Sequence, residues 1–284
     1  MAEIRLCAFS DEAASDILGQ INALKQNGIY LTELRSAFGK NVSTFTKEEN
    51  KEYYKMFSDN GIGVYSIGSP LGKVDIDTDF DKYLDVVKRV CETANDFKAD
   101  RIRVFSFFNA YEKKNQVFDY LSKMVEVAKE YNVTLCHENE KEIFGDVAER
   151  VCMIMENVKG LKFVYDPANY VQVNEPAQKT LDLFHGKSEY FHIKDIIHGT
   201  GELVPAGYGD GDINSLVERI KTDKVLTLEP HLAIFEAYAN IDNTEMKHKF
   251  HFDSNLSAFG AASDAIKAIL LNNGYTLKGD KYVK

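Results

Sequence analysis

The sequence predicts a (β/α)8 barrel, the TIM-barrel architecture, in which eight parallel strands close into a cylinder inside a ring of helices. Three observations predict it. Short apolar runs alternate with longer amphipathic ones along the whole chain, which is the rhythm of βαβ units. Eight such units fall within 284 residues, a length that suits the barrel. The turn after the first apolar run, "AFSDEAASD", contains no glycine, where a doubly wound dinucleotide-binding sheet carries a glycine-rich turn.

The strands are expected at "IRLCAFS" (4–10), "YLTELRS" (30–36), "GVYSIGS" (63–69), "RIRVFSF" (101–107), "VTLCHEN" (133–139), "KFVYD" (162–166), "YFHIKD" (190–195) and "VLTLEP" (225–230). Between them, "SDILGQINALKQNG", "TDFDKYLDVVKRVCETANDF", "NQVFDYLSKMVEVAKEY" and "DVAERVCMIMENV" place apolar residues three and four apart, as amphipathic helices do. With only five prolines and no low-complexity linker, residues 1–284 read as a single domain. Two long connections, 196–224 and 231–254, follow the seventh and eighth strands and read as loops over the C-terminal mouth. The polar, basic tail "GYTLKGDKYVK" is expected to fray or to pack at the rim.

Composition narrows the function classes. A hydrophobic content of 44% with 27% charged residues is that of a globular protein in water. The formal charge of −10 leaves no basic surplus to neutralise phosphates, so nucleic acid is not an expected partner. No apolar run approaches a membrane span, and the N-terminal "MAEIRLCAFSDEAASD" has no apolar signal region, so neither a membrane nor secretion is expected. Cys7, Cys91, Cys136 and Cys152 form no CxxC pair and read as free thiols in a reducing cytoplasm. A second copy of the chain stays open as a partner.

The chemistry lies at the strand ends. Side chains alternate between barrel interior and helix layer. If Val133 and Leu135 face the helices, then Thr134, Cys136 and Glu138 face inward, with Glu138 at the C-terminal end where barrel enzymes work. The same alternation turns Asp166 inward after Val164, His192 and Lys194 inward after Tyr190, and Glu229 inward after Thr227. Four consecutive strands thus bring Glu138, Asp166, His192 and Glu229 to one mouth. Three carboxylates so close repel one another unless some are protonated or a cation lies among them. Oxygen ligands with one imidazole suit a divalent metal ion (Mn²⁺, Mg²⁺, Co²⁺ or Zn²⁺) without selecting among these.

The segments "LCHENE", "FVYDPANY", "FHIKD", "VPAGYGDGDI" and "LTLEPHL", in this order, resemble the xylose isomerase-like TIM-barrel superfamily, and within it the group of sugar-phosphate isomerases/epimerases. The resemblance spans about residues 4–272 and is most specific over 133–232. It implies one divalent ion held by Glu138, Asp166, His192 and Glu229, with Glu138 and Glu229 also acting as the catalytic acid/base pair on opposite faces of a bound ketose. The implied reaction is isomerisation or epimerisation of a small carbohydrate or sugar-derived ketone. The physical logic is independent of the likeness. Removing a proton beside a carbonyl creates an enediolate whose charge a cation stabilises, and a second carboxylate on the other face can return the proton. Related ketose epimerases place a substrate-binding His three residues after the strand-six Asp, where this chain has Asn169. An amide there still hydrogen-bonds a hydroxyl but does not titrate. The missing histidines and the acidic charge weigh against the endonuclease IV branch of the fold.

Other readings stay open. A metal-dependent lyase or dehydratase of a polyol-derived ketone shares the same first step, and a non-catalytic carbohydrate-binding barrel shares the scaffold. Lys194 could meet a substrate anion or pair with Glu229 or Asp166. His231 could contact substrate or relay protons, or be a solvated loop residue. Glu140 is an alternative ligand to Glu138 if the strand register shifts. Glu33, Arg35 and Arg103 read as mutual ion pairs inside the barrel, since buried charges need partners. Phe9, Phe107 and Phe108 could wall a sugar site or fill core. The glycines of "VPAGYGDGDI" fit a loop over the pocket but not a nucleotide-binding motif.

Overall fold

In the computed structural model, which describes residues 2–233, 247, 248 and 250–284, eight parallel strands close a barrel. They are β1 (Glu3–Ala8), β2 (Leu31–Leu34), β3 (Gly63–Gly68), β4 (Arg101–Val104), β5 (Thr134–Glu138), β6 (Lys162–Tyr165), β7 (Tyr190–Ile193) and β8 (Lys224–Leu228). Every expected strand is present, each ending one to three residues earlier than its apolar run suggests. β8 returns to β1 in parallel register from Ile4↔Lys224 to Ala8↔Leu228, which closes the cylinder. No ladder edge is left open between the eight.

Helices α1 (Ile17–Gln26), α2 (Lys47–Asp59), α3 (Phe80–Asp96), α4 (Lys114–Glu130), α5 (Ala148–Asn157), α6 (Pro167–Gln172), α7 (Ala177–Phe184), α8 (Ile213–Glu218) and α9 (Asn255–Asn272) follow the strands. Their starts are written locally. Asp16 accepts the Gly19 N–H, and Thr46 with Glu49 forms a reciprocal capping box on α2. Such caps satisfy backbone donors that have no intrahelical partner, each worth about 1 kcal/mol. α6 begins with Asp166 as cap and Pro167 in its first turn, where a missing N–H costs nothing.

The strand alternation divides the interior as expected. Leu135, Phe163, Tyr165, Phe191, Ile193, Leu226 and Leu228 join the large apolar layer between strands and helices. Burying each such side chain contributes on the order of 2 kcal/mol. Cys136, Val164 and Tyr190 form a separate small cluster inside the barrel. Tyr65 and Val225 pack against it, and the polar Glu33, Ser66 and Thr227 are buried in the same interior.

The connection 196–224 is more structured than a plain loop. Asp195–Ile196 pairs antiparallel with Glu202–Val204, and α8 lies further along. Of the expected mouth loop 231–254, residues 234–246 and 249 lie outside the described residues. The tail forms a hairpin, Thr276–Lys278 with Lys281–Val283, whose second strand pairs with Glu3–Arg5 of β1. It therefore packs at the end of the barrel opposite the mouth. The four cysteines are free. Among the described residues, no helix is long and apolar enough to cross a membrane.

Candidate functional site

Four strand ends converge at the C-terminal mouth. Glu138 is the last residue of β5 and stands level with Val164 on β6, so Asp166 follows just beyond. His192 on β7 stands level with Thr227 on β8, and Glu229 leaves β8 immediately after it. Glu138, Asp166, His192 and Glu229 are 1%, 0%, 0% and 2% exposed. Each offers one ligand atom, and these atoms lie within 4.8 Å of one another.

The arrangement is held from several sides. Asn139 clamps the ends of β5 and β6: its Nδ2 donates to the Asp166 carbonyl and its Oδ1 accepts the Asp166 N–H, both at 2.9 Å. Asp166 Oδ1 caps α6 by accepting the Asn169 N–H at 3.0 Å, which turns Oδ2 toward the mouth. Asn169 Nδ2 donates to the Asn139 carbonyl at 2.9 Å and to Glu138 Oε1 at 3.3 Å. His192 Nδ1 lies 3.0 Å from Glu138 Oε1 and 3.2 Å from Glu229 Oε2. Its other nitrogen, Nε2, lies 3.2 Å from Glu33 Oε2.

Cations surround this acidic centre. Arg103 Nη1 is 3.2 Å from Glu138 Oε2 and 3.8 Å from Glu229 Oε1. Lys194 Nζ is 2.9 Å from Asp166 Oδ2 and 3.6 Å from Glu229 Oε2. Arg35 reaches Glu229 Oε1 at 3.1 Å while its Nε and Nη2 grip the Asp11 carboxylate at 2.9 and 3.0 Å. Phe9 supports both guanidinium groups on its face, 4.4 Å from Arg35 and 5.2 Å from Arg103.

The electrostatics follow from burial and neighbours. Burial, with the charges of Glu138 and Glu229, pushes the Asp166 carboxyl up to about 7 against the pull of Lys194. Burial would also raise Glu229, but Lys194 and His192 hold it well below the usual carboxylate range. Burial works against charge on His192 too, yet Glu138 and Glu33 keep its imidazole well above the usual histidine range. Glu12, buried beside Asp11 and Glu229, is pushed up to about 8 even with Arg35 beside it.

The four-residue group fits a divalent cation. Its donors are three carboxylates and one imidazole, all buried, a set suited to such ions. Among the described residues, Asp166 Oδ2 and Glu229 Oε2 are buried and make no well-directed hydrogen bond, although charged groups lie near both. A second trio, Glu12, Glu229 and His231, also brings ligand atoms within 4.8 Å of one another. There the Arg35 guanidinium already sits on both Glu12 and Glu229.

The sequence matches the family model described as xylose isomerase-like TIM barrel over residues 21–244. The chain belongs to the xylose isomerase-like TIM-barrel family. No curated protein matches it in sequence. In structure this xylose isomerase-like barrel is similar to L-ribulose 3-epimerase, at 16% identity and a TM-score of 0.72 over 96% of each chain. It is also similar to a probable 3-DHS dehydratase of Bacillus anthracis, at 15% identity and a TM-score of 0.70 over 94% of this chain and 99% of that one. The IOLI protein, solved with a bound zinc atom, matches at 14% identity and a TM-score of 0.72 over 95% of this chain and 99% of that one. At these identities the likeness is one of fold.

Within the barrel, the residues singled out from the sequence separate clearly. Glu138, Asp166, His192, Glu229, Asn169 and Lys194 come together. His231 is buried rather than solvated: its Nε2 lies 3.4 Å from Glu12 Oε1 and 3.6 Å from Glu229 Oε1. Glu140 instead pairs with Lys73 at 2.9 Å. The expected mutual pairing of Glu33, Arg35 and Arg103 is corrected in its contacts: both arginines extend toward the acids of the mouth while Glu33 turns to His192 and Tyr190, and Glu33 acts on Arg103 only at longer range. Phe9 packs edge-on to the His192 ring at 5.2 Å, whereas Phe107 packs with Phe80 and Tyr120 in the helix layer. The glycine loop folds onto Asp195, whose carboxylate accepts the N–H groups of Gly207, Gly209 and Gly211.

Sequence reasoning missed Asp11, Glu12 and Asn139. The first two form an acidic pair just beyond the first strand, at the same mouth, which was a readable signal. Asn139 carried no such signal, because its role depends on the spacing between two strand ends.

Proposed function

We propose that Glu138, Asp166, His192 and Glu229 hold one divalent cation, and that the protein isomerises or epimerises a small sugar or sugar-derived ketone by moving a carbon-bound proton. The observation that carries this reading is the flanking of His192 Nδ1 by Glu138 Oε1 at 3.0 Å and Glu229 Oε2 at 3.2 Å, beside Asp166. Two carboxylates thus face one small volume from different strands. The fold likeness to an L-ribulose 3-epimerase and to a zinc-bound IOLI protein supports the reading. Mn²⁺, Mg²⁺, Co²⁺ and Zn²⁺ all suit this donor set.

A bound divalent ion supplies positive charge against the negative charge that develops as the proton leaves. The chain's own groups do the rest. One of Glu138 and Glu229 takes the proton beside the carbonyl, and the other returns one from the opposite face, which inverts the centre. Arg103 keeps both carboxylates close to a positive charge and fixes their spacing. In this reading Lys194 and His231 donate to substrate oxygens, and Asn169 orients Glu138 while offering an amide to a hydroxyl.

A second reading, elimination of water from a polyol-derived ketone, is favoured by the comparable fold likeness to a 3-DHS dehydratase. One experiment separates them. Protein supplied with Mn²⁺ is incubated in heavy water with a panel of ketopentoses and ketohexoses, and products are followed by NMR and mass. Deuterium entering beside the carbonyl without loss of water, and abolished by Glu138→Gln, is the expected result. Loss of water from a polyol-derived ketone supports the second reading, and neither exchange nor loss contradicts both.

A further inference from the structure

We infer that Glu33 is a positioning residue for His192, fixing the imidazole so that Nδ1 rather than Nε2 faces Glu138, Asp166 and Glu229; this rests on the reading of those residues as a metal centre. Glu33 is fully buried inside the barrel, at 0% exposure. The ladder beside it is irregular: Thr32 pairs with Val64 but Glu33 with Ser66, so Tyr65 is an extra residue on β3 and the pairing of Glu33 is shifted. Such a bulge re-aims a side chain. Here the Glu33 carboxylate points across the barrel toward β7.

Its two oxygens have separate partners. Oε1 accepts the Tyr190 hydroxyl at 2.9 Å, with the Ser66 hydroxyl at 3.5 Å. Oε2 is thereby left facing His192 Nε2 at 3.2 Å. The imidazole cannot readily swing away, because Phe9 packs edge-on at 5.2 Å and Tyr190 at 5.6 Å. A carboxylate oxygen only accepts, so the nitrogen facing Glu33 carries a proton. Nδ1 faces the Glu138 and Glu229 carboxylates in the same way, so a cation held among those acids would take the place of the Nδ1 proton while the Nε2 proton stays on Glu33. Hydrogen bonding of this kind fixes tautomer and orientation of a metal-binding histidine and raises its basicity.

The test measures Zn²⁺ binding by calorimetry in full-length wild type, Glu33→Gln and Glu229→Gln, with urea unfolding as a check on folding. It adds long-range proton–nitrogen NMR of the Zn²⁺-loaded wild type, which reads the His192 tautomer directly. We expect Glu33→Gln to fold and to bind Zn²⁺ about ten- to a hundredfold more weakly, the usual effect of losing such a partner. The His192 spectrum is expected to show a proton on Nε2 and zinc on Nδ1. Unchanged Zn²⁺ affinity in Glu33→Gln, or zinc on Nε2, overturns the role of Glu33 while leaving the metal centre standing. Absence of Zn²⁺ binding in wild type overturns the centre and this inference with it. Should Glu33→Gln fail to fold, the wild-type spectrum decides alone.

Discussion

Arg35 donates from Nη1 to Glu229 Oε1 at 3.1 Å, joining the end of the second strand to the end of the eighth. The same guanidinium grips Asp11 through Nε and Nη2 and lies 3.4 Å from Glu12. One cation thus faces three carboxylates in a buried setting. It anchors a proposed acid/base group to the barrel wall, and it explains how so much negative charge is tolerated beside the acidic centre.

Replacing Arg35 by Met leaves Asp11, Glu12 and Glu229 without this cation. Breaking a buried ion pair from one side costs about 3–5 kcal/mol. Urea unfolding of Arg35→Met is expected to show a loss of this size. Arg35→Lys is expected to recover only part of it, because an ammonium cannot reproduce the planar fork that Asp11 accepts. A loss below about 1 kcal/mol in Arg35→Met contradicts the account.

Asp195 organises the glycine loop. Its carboxylate accepts the N–H groups of Gly207, Gly209 and Gly211 at 2.8, 3.0 and 2.9 Å. Side chains on Gly209 and Gly211 would run into that carboxylate. Burial raises the Asp195 carboxyl, while those backbone donors favour its ionised form. Asp195→Ala is expected to cost about 3 kcal/mol, the scale of lost charge-assisted hydrogen bonds. Hydrogen exchange should quicken at the amides of Gly207, Gly209 and Gly211, and unchanged exchange there contradicts the assignment.

His137 gives the protein an acid-side weakness. It is fully buried, and among the described residues neither ring nitrogen has a hydrogen-bond partner. Burial lowers its pKa from 6.5 to about 3. Below pH 6.5 the unfolded chain therefore takes up a proton that the folded chain refuses until about pH 3, so stability falls as pH falls through that window. Between pH 7 and pH 5 the loss from this residue is about 2 kcal/mol. His137→Leu should remove it, and unfolding midpoints at the two pH values check the sign. An equal acid-side loss in variant and wild type contradicts the argument.

The fold was legible because its signals are local. The period of each apolar run, and the polar residue ending it, place Glu138, Asp166, His192 and Glu229 without knowledge of any contact. The partners of Glu33, Arg35 and Arg103 were not legible. Inward parity says that a charge enters the barrel, but not how far a long side chain reaches or which acid across the cylinder it meets. The bulge at Tyr65 on β3 adds a register change that no single-strand pattern announces. Asn169 was legible as a substitution in the Asp-Pro-Ala-Asn turn. Its hydrogen bond to Glu138 required the positions of two strands.

Everything proposed for the mouth depends on Glu138, Asp166, His192 and Glu229 forming one metal site. The most direct measurement is metal stoichiometry by mass spectrometry after equilibration with Mn²⁺ and removal of free ion, in wild type and in Glu229→Gln. One tightly held ion per chain is expected in wild type, and loss of that ion in the variant. A wild type without metal, or a variant that retains it equally, contradicts the account.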